Sequence, residues 1–315
     1  MQLKPGITYL SQYKKDFYMK KQVLSAIAFL IVFCFLIELR AEPIPEDVNQ
    51  CIAYIVKPEN SEAKPIGTAF FIGYNYPEQA NKYYIFLVTA KHVLFDDTGI
   101  QHPRLLVRMN DKFTGHARDY DIINPRNWFF HENTTAVDIA VQPVLPKDAK
   151  FLYIASKDFI TEQVLTNRKI GIGDEVFYSG LLSYHSGQDK IAPVVRFGKL
   201  ALITNEITVD GKFYNFIDAG NIPGHSGAPV FLWASPARES NALVAGSRIF
   251  GLYGVVSGVI EYSKELKLVM PKQTGQSMIP VDARSGGITA IVPVKYLVEI
   301  LEGSRTKTAI GLIKK

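Results

Sequence analysis

A serine in a glycine-rich loop is the first group in this sequence that could do chemistry. Residues 221–231 read N-I-P-G-H-S-G-A-P-V-F, so Ser226 stands on a short loop just before an apolar segment. A loop of this kind brings a hydroxyl group close to free backbone N–H groups, which is what acyl transfer requires. The same pattern also occurs in ordinary turns. The functional interpretation makes Ser226 a nucleophile, with the N–H groups of Gly224 and Ser226 forming an oxyanion hole.

Two upstream segments supply the partners that such a serine needs. His92 follows the apolar run Tyr84–Ala90, which would hold it rigidly at a strand end as a general base. Asp138 lies in the apolar segment 137–141, where an aspartate is disfavoured, and it would orient the imidazole of His92. The structural alternatives are a histidine that caps a strand end and an aspartate at an edge or turn.

Other histidines and carboxylates fit these roles less well. They lie in polar, loop-like sequence and form no metal-ligand pair, so no metal site is predicted: His102, His116, His131 and His185, with Asp96, Asp97, Asp119, Asp121 and Glu132. His225 adjoins Ser226, but adjacent side chains on a tight turn usually diverge.

The order of the three residues along the chain excludes two other classes of serine hydrolase. The order histidine, aspartate, serine differs from that of the α/β-hydrolases and the subtilisins, and Ala228 stands where the α/β-hydrolase pattern has glycine.

The segments that must position these groups are short apolar or alternating runs separated by turn-forming residues. The predicted strands are Cys51–Val56, Thr68–Gly73, Tyr83–Ala90, Arg104–Met109 and Val137–Val144, then Glu175–Leu182, Pro193–Leu202, Lys212–Asp218, Ala228–Trp233, Ile249–Ile260 and Gly287–Val292. Many strands at this spacing favour an all-β protein. Apolar residues at helical spacing predict one closing helix between Pro293 and Gly303.

Charge is concentrated at the N-terminus of this 315-residue chain, whose formal net charge is +5. Residues 1–41 hold six of the 35 basic residues and two of the 30 acidic ones, which leaves 29 and 28 in the rest. A nearly neutral body lacks the electrostatic attraction on which nucleic-acid binding depends. No nucleic-acid partner is therefore predicted.

The N-terminal segment has the pattern of an export signal. Two lysines at 20–21 precede an apolar run, Val23–Ile37, and cleavage after Ala41 would remove both. A retained membrane anchor at residues 23–39 is the alternative. Either way we expect the rest of the chain to be exported, as a periplasmic, extracellular or outward-facing anchored protein. Cys51 is the single cysteine beyond this run, so the body must depend on its core rather than on a disulfide.

These segments together resemble the trypsin-like serine proteases of the chymotrypsin fold, over about Cys51 to Gly303. The resemblance rests on G-T-A-F-F at 67–71, T-A-K-H at 89–92, D-I-A at 138–140, G-H-S-G-A-P at 224–229 and G-V-V-S-G at 254–258. It implies two six-stranded antiparallel β-barrels with a C-terminal helix. The first barrel would span 42–155 and the second 156–303, with 1–41 the signal or anchor and 304–315 a tail.

The resemblance also implies an activity and a substrate site. Ser226, His92 and Asp138 would hydrolyse peptide bonds through an acyl-enzyme without a cofactor. Gly220 would lie near the base of the primary specificity pocket, and Ser257 and Gly258 in the strand that pairs with bound polypeptide, with Ser257 supporting the carboxylate.

Two departures narrow the resemblance. Position 225 is histidine where zymogen-activated animal enzymes have aspartate, and disulfides are lacking, so bacterial Deg-type members are more similar. Position 220 is glycine rather than an acid, so a preference for Arg or Lys before the cleaved bond is not supported. The alternative functions are a catalytically silent peptide-binding protein of the cell envelope and an esterase.

Overall fold

A computed structural model describes residues 19–25, 43–59, 62–79, 82–187, 189–208, 210–220, 222–236, 248–262 and 284–313. Residues 1–45 form one compact unit, in which 19–25 are the helix α1. Most of the predicted signal or anchor at 23–39, and the cleavage position at 41, lie outside the described residues. Across the described ranges, every helix is too short or too polar to cross a bilayer.

Residues 46–315 form the other compact unit, and its first half is a nine-stranded sheet. Its elements are the helix α2 (Asp47–Gln50) and the strands β1 (Ile52–Glu59), β2 (Glu62–Asn75), β3 (Tyr83–Thr89), β4 (Leu106–Asp111), β5 (Ala117–Tyr120), β6 (Phe129–Phe130), β7 (Ala140–Pro143), β8 (Ala149–Lys150) and β9 (Ile154–Ala155). The order is β5-β4-β1-β2-β3-β7-β6, with β8 beside β4 and β9 parallel to β2. Alternate residues such as Ile55, Phe71 and Leu87 fill its core.

The second half of this unit is a closed six-stranded barrel. It contains the helix α3 (Glu162–Asn167) and the strands β10 (Glu175–Gly180), β11 (Val194–Leu202), β12 (Asn215–Asp218), β13 (Pro229–Ala234), β14 (Ile249–Tyr262) and β15 (Arg284–Pro293), and it is followed by the helices α4 (Val294–Glu302) and α5 (Ser304–Ala309). The strands close in the order β10-β11-β12-β15-β14-β13, each antiparallel to its neighbours. Tyr178, Leu200 and Val230 are among the residues that fill its interior.

The structure confirms the predicted all-β class, the six-stranded second barrel and the helix at the C-terminal end. The first half differs, because it is a nine-stranded sheet where a six-stranded barrel was predicted. Three of its strands have only two residues each, too few for alternation to reveal. Residues 304–309, which lie in the predicted tail 304–315, form α5. The hydroxyl of Thr306 is buried there and donates to the Ile300 carbonyl at 2.7 Å, which binds α5 to α4.

One rim of the barrel brings together the segments that the sequence singles out. Because neighbouring strands are antiparallel, β10, β12 and β14 end at the rim where β11, β13 and β15 begin. The loop 222–228 lies there just before β13, and Gly220 lies there just after β12. The first residue pair between β13 and β14 is Pro229 with Val255. Val256 is bonded through its N–H and carbonyl to Ala228 and Gly227 of this loop, and beyond Val256 only β15 pairs with β14 among the described strands.

The loop contacts the first sheet at backbone distance. Gly227 has a φ of 86°, and a Cβ placed on it would be 2.2 Å from the Thr68 carbonyl oxygen and 2.4 Å from Thr89 Oγ1. No side chain fits there, so only glycine lets the barrel rim lie against β2 and β3.

We expect Gly227→Ala to lower the free energy of unfolding by about 3 kcal/mol or more, because overpacking adds to the cost of a left-handed residue. Gly99→Ala is the matched control, since Gly99 has a φ of 80° but no described atom within 4 Å of the position that a Cβ would occupy. Its loss should be only about 1–2 kcal/mol. Urea unfolding measures both, and equal losses would contradict the close contact.

Candidate active site

A 3₁₀ turn directly after β3 carries His92. The turn spans Lys91–Leu94, and its buried residues Val93 and Leu94 pack into the core of the first sheet, while the His92 side chain is 51% exposed. The backbone N–H of His92 donates to Asp138 Oδ1 at 2.9 Å, and Nδ1 lies 2.7 Å from Oδ2. These two contacts fix the imidazole and leave Nε2 as the ring atom available to a reacting group.

Asp138 lies just before β7. The sequence pattern had predicted it inside a strand, and the structure shows that this was wrong. Residues 137–139 have no regular structure, and β7 begins at Ala140. The Asp138 carbonyl accepts from the Lys91 N–H at 3.4 Å, so this backbone is bonded to the histidine turn instead of a strand ladder. The carboxylate is only 10% exposed and also accepts from Ser257 Oγ at 2.5 Å.

His92 and Asp138 change each other's pKa. Burial alone would raise the pKa of Asp138, but the hydrogen bonds and charge of His92, with the Ser257 hydroxyl, outweigh it and lower that pKa. Burial alone would lower the pKa of His92, as would Lys212, but the hydrogen bond and charge of Asp138 raise it overall.

The sign of each shift sets how the pair affects stability. A raised histidine pKa stabilises the fold at low pH, and this contribution is lost as the pH rises through the pKa of His92. A lowered aspartate pKa stabilises the fold at higher pH, and this contribution is lost as the pH falls through the pKa of Asp138. The pair is therefore strongest between the two pKa values, where Asp138 is ionised and His92 is protonated.

Ser226 lies at the barrel rim, in the loop before β13. Its Oγ donates to the Ser257 carbonyl at 3.3 Å, and its own carbonyl accepts from the Thr68 N–H at 2.9 Å. Among the hydrogen bonds of the described residues, none joins Ser226 Oγ to His92. A change of the serine rotamer redirects the hydroxyl, and such contacts are often long or misaligned before substrate binds.

Ser257 connects these groups. Its hydroxyl donates to Asp138, its carbonyl accepts from Ser226, and its Oγ lies 3.1 Å from the Tyr214 hydroxyl. Burial raises the pKa of Tyr214 to about 12, so this phenol stays neutral at physiological pH. The pairing of β14 with β15 shifts register across Ser257, a bulge that removes it from the regular ladder.

Two hydroxyl groups fix the peptide planes on either side of Gly224. Ser183 Oγ donates to the Pro223 carbonyl at 2.6 Å, and Thr68 Oγ1 donates to the Gly224 carbonyl at 2.7 Å. The N–H of Gly224 points opposite to the Pro223 carbonyl because the peptide is planar and trans, so Ser183 sets its direction. Within the described part of the chain, the N–H groups of Gly224 and Ser226 donate to no acceptor. They are therefore available to an anion.

Sequence reasoning missed Thr68, Thr89, Ser183 and Tyr214. Thr68 Oγ1 also accepts from the Leu181 N–H at 2.9 Å, and Thr89 Oγ1 donates to the Thr68 carbonyl at 2.7 Å. Both threonines are fully buried and adjoin the apolar runs of β2 and β3. A polar residue at a buried strand position was the one signal that could have identified them, since such a group needs a partner.

The remaining predicted site residues lie around the same rim. The Gly220 carbonyl accepts from the Tyr178 hydroxyl, and Gly258 pairs with Ala290 and has no described atom within 4 Å of the position that a Cβ would occupy. The His225 ring is buried and meets the Tyr178 ring edge-on, at 5.1 Å between centroids. Burial and the charge of Arg196 lower the pKa of His225 to about 4, so it is neutral at physiological pH.

Three of the alternative carboxylates have other partners. Asp96 accepts from the Thr98 and Ile100 N–H groups at 2.9 Å in its own turn. Asp119 pairs with Arg108 at 2.6 Å and Asp121 with Arg104 at 2.9 Å. Asp138 is the carboxylate that contacts His92.

The pKa of His92 can be measured directly by following its ring protons by NMR. We expect a value above the ordinary one of about 6.5 in the wild type, and a value below it in Asp138→Asn, where burial and Lys212 act without the carboxylate. Asp119→Asn, which removes a carboxylate bound to Arg108, is the control and should leave the titration unchanged. Equal titrations of His92 in the wild type and in Asp138→Asn would contradict the contact.

Similarity to known proteins is found among solved structures. No protein-family model and no curated protein matches this sequence. A solved structure described as "HtrA-type protease AlgW with tripeptide" is similar to it with a TM-score of 0.44 and 16% sequence identity, covering 84% of this chain and 61% of that one. This chain thus spans less than two thirds of that protein. The assignments that follow rest on the geometry of this chain's own residues.

Proposed function

We propose that this chain is a serine endopeptidase, with Ser226 as nucleophile, His92 as general base and Asp138 as the carboxylate that orients it. The observation that supports this is one chain of contacts. The buried carboxylate accepts from His92 Nδ1 and from the Ser257 hydroxyl, and the Ser257 carbonyl holds the hydroxyl of Ser226. A nucleophile, a base and an orienting group thus occur together at an exposed rim.

The reaction follows from these contacts. Ser226 Oγ attacks the peptide carbonyl carbon and His92 Nε2 takes its proton, while Asp138 stabilises the imidazolium. The N–H groups of Gly224 and Ser226 hold the oxyanion. His92 then gives the proton to the leaving amine as the C–N bond breaks. Water hydrolyses the resulting ester by the same route and regenerates the serine.

The open edge of β14 favours a polypeptide over a small ester as substrate. Past Val256, whose N–H and carbonyl are bonded to the Ala228 carbonyl and the Gly227 N–H, this strand has β15 on one side and, among the described strands, no partner on the other, which is the side of Ser226. An extended peptide can pair with such an edge through its backbone.

We also propose that the protein acts outside the cytoplasm, as the two lysines before Val23–Ile37 indicate.

A second candidate function is peptide binding without turnover. The observation in its favour is that the Ser226 hydroxyl is bonded to the Ser257 carbonyl and not to His92. If that arrangement persists when peptide binds, the hydroxyl keeps its proton and the peptide is released unchanged.

A fluorophosphonate probe distinguishes the two functions. We expect the 315-residue chain to gain the mass of one adduct, because His92 activates Ser226, and Ser226→Ala to gain none. Labelling of His92→Ala should slow by at least about 100-fold, since general-base catalysis contributes that much. A membrane-impermeant probe on intact cells tests export with the same variants. Absence of an adduct in the wild type would support the silent binding protein.

Ser183 should act as a positioning residue for the oxyanion hole. We expect Ser183→Ala to lower kcat about tenfold with little change in KM, because the Gly224 N–H loses its fixed direction. Ser186→Ala, in the same loop, is the control, since its hydroxyl has no hydrogen bond within the described part of the chain. A rise in KM with unchanged kcat would contradict this role, and peptide hydrolysis kinetics measure both constants.

A further inference from the structure

A basic residue occupies an inward position in β11. Arg196 pairs with Tyr178 of β10, whose side chain is fully buried in the barrel core. Leu200, four residues on and therefore on the same face, is also in that core, whereas Phe197 faces out and is 61% exposed. Strand alternation thus directs Arg196 into the barrel, near the rim where β11 begins.

The guanidinium of Arg196 lies against Gly220. One of its terminal nitrogens is 2.8 Å from the position that a Cβ on Gly220 would occupy, and among the described residues Arg196 provides the only atoms within 4 Å of that position. Its charge also lowers the pKa of His225, the neighbour of Ser226, after the larger effect of burial. The absence of a side chain at Gly220 therefore makes room for the guanidinium of Arg196 beside the loop that leads to the nucleophile.

This positive charge has no carboxylate partner among the residues that the structure describes. Arg104, Arg108, Arg118 and Arg248 each pair with an acidic side chain, whereas Arg196, which is half-buried, pairs with none in the described part of the chain. A partly desolvated guanidinium without an anion is unfavourable, and its planar N–H groups match a carboxylate. The site is therefore suited to an anionic group that enters from solvent.

We propose that Arg196 makes the enzyme prefer substrates with Asp or Glu immediately before the cleaved bond. The inference rests on the proposed function. In the proposed complex, the carbonyl of the bond to be cleaved lies at Ser226, and the substrate backbone pairs with the open edge of β14. The residue before that bond then lies over the barrel rim. Gly258 leaves that rim open, with no described atom within 4 Å of the position that a Cβ would occupy, and the guanidinium of Arg196 lies against Gly220. A lysine or arginine there would meet a like charge.

Two peptidyl phosphonates that differ only in this residue test the proposal. One contains glutamate and the other its neutral isostere glutamine, and each forms a covalent bond with a serine nucleophile as phenol leaves. The measured quantity is the ratio of the two labelling rate constants within each protein, so that a general loss of reactivity in a variant cancels.

We expect the glutamate probe to label the wild type at least about tenfold faster than the glutamine probe, as a charge-assisted hydrogen bond implies. The ratio should fall to about one in Arg196→Gln and stay above one in Arg196→Lys, which keeps the charge. Lys199→Gln is the control, because Lys199 is an exposed residue of the same strand and should leave the ratio unchanged.

The outcomes separate this inference from the proposed function. If a small alkyl fluorophosphonate labels Ser226 but the wild-type ratio is one or less, or neither phosphonate reacts, the preference for acidic residues is overturned and the hydrolase assignment stands. A high ratio that persists in Arg196→Gln also overturns the role of Arg196. If the alkyl probe itself fails to label Ser226, the proposed function fails, and the inference fails with it.

Discussion

The buried carboxylate of Asp138 is the group on which the rest of the site depends. A charge removed from water is costly unless hydrogen bonds and an opposite charge replace the lost solvation. Here the first sheet supplies the N–H and imidazole of His92, and the barrel supplies the hydroxyl of Ser257. Neither half satisfies the carboxylate alone. Its burial therefore requires that both halves be folded and in contact, which ties the geometry of the candidate site to the stability of the whole unit.

Backbone groups hold the nucleophile loop in place against both halves, and this gives the site its precision. The Thr68 N–H donates to the Ser226 carbonyl at 2.9 Å, and the Gly227 N–H donates to the Val256 carbonyl at 2.8 Å, so the nucleophile loop is bonded on both sides. Gly67 lies between the two loops of the site, since a Cβ on it would be 2.6 Å from Val93 Cγ1, in the turn that carries His92, and 3.4 Å from the Ser226 carbonyl oxygen. Groups held by strands and short turns move less than groups on long loops, as preorganised chemistry requires.

Local pattern predicted most strands and the residue types of the site, but not the contacts that join them. Alternating apolar residues located β2, β3 and the barrel strands because burial on one face repeats every two residues. The same rule failed at Asp138, whose backbone is bonded to Lys91, and at the two-residue strands. The hydroxyls of Thr68 and Ser183 could not be assigned because their partners, the carbonyls of Gly224 and Pro223, are 156 and 40 residues away in sequence. The alternation rule could have predicted that Arg196 faces the barrel interior, since Leu200 shares its face. Only the structure shows that no carboxylate among the described residues pairs with it.

The central claim is that His92, held by Asp138, serves as the base for Ser226. The most direct test is the pH dependence of the rate at which a fluorophosphonate labels Ser226. A base must be neutral to accept a proton, so the rate should rise with pH and reach half its maximum at the pKa that NMR gives for His92, above about 6.5. In Asp138→Asn, the pH at which the labelling rate is half its maximum and the pKa of His92 measured by NMR should both fall, and by the same amount. A labelling rate that does not change with pH, or a midpoint that stays fixed when the pKa of His92 moves, would contradict the account.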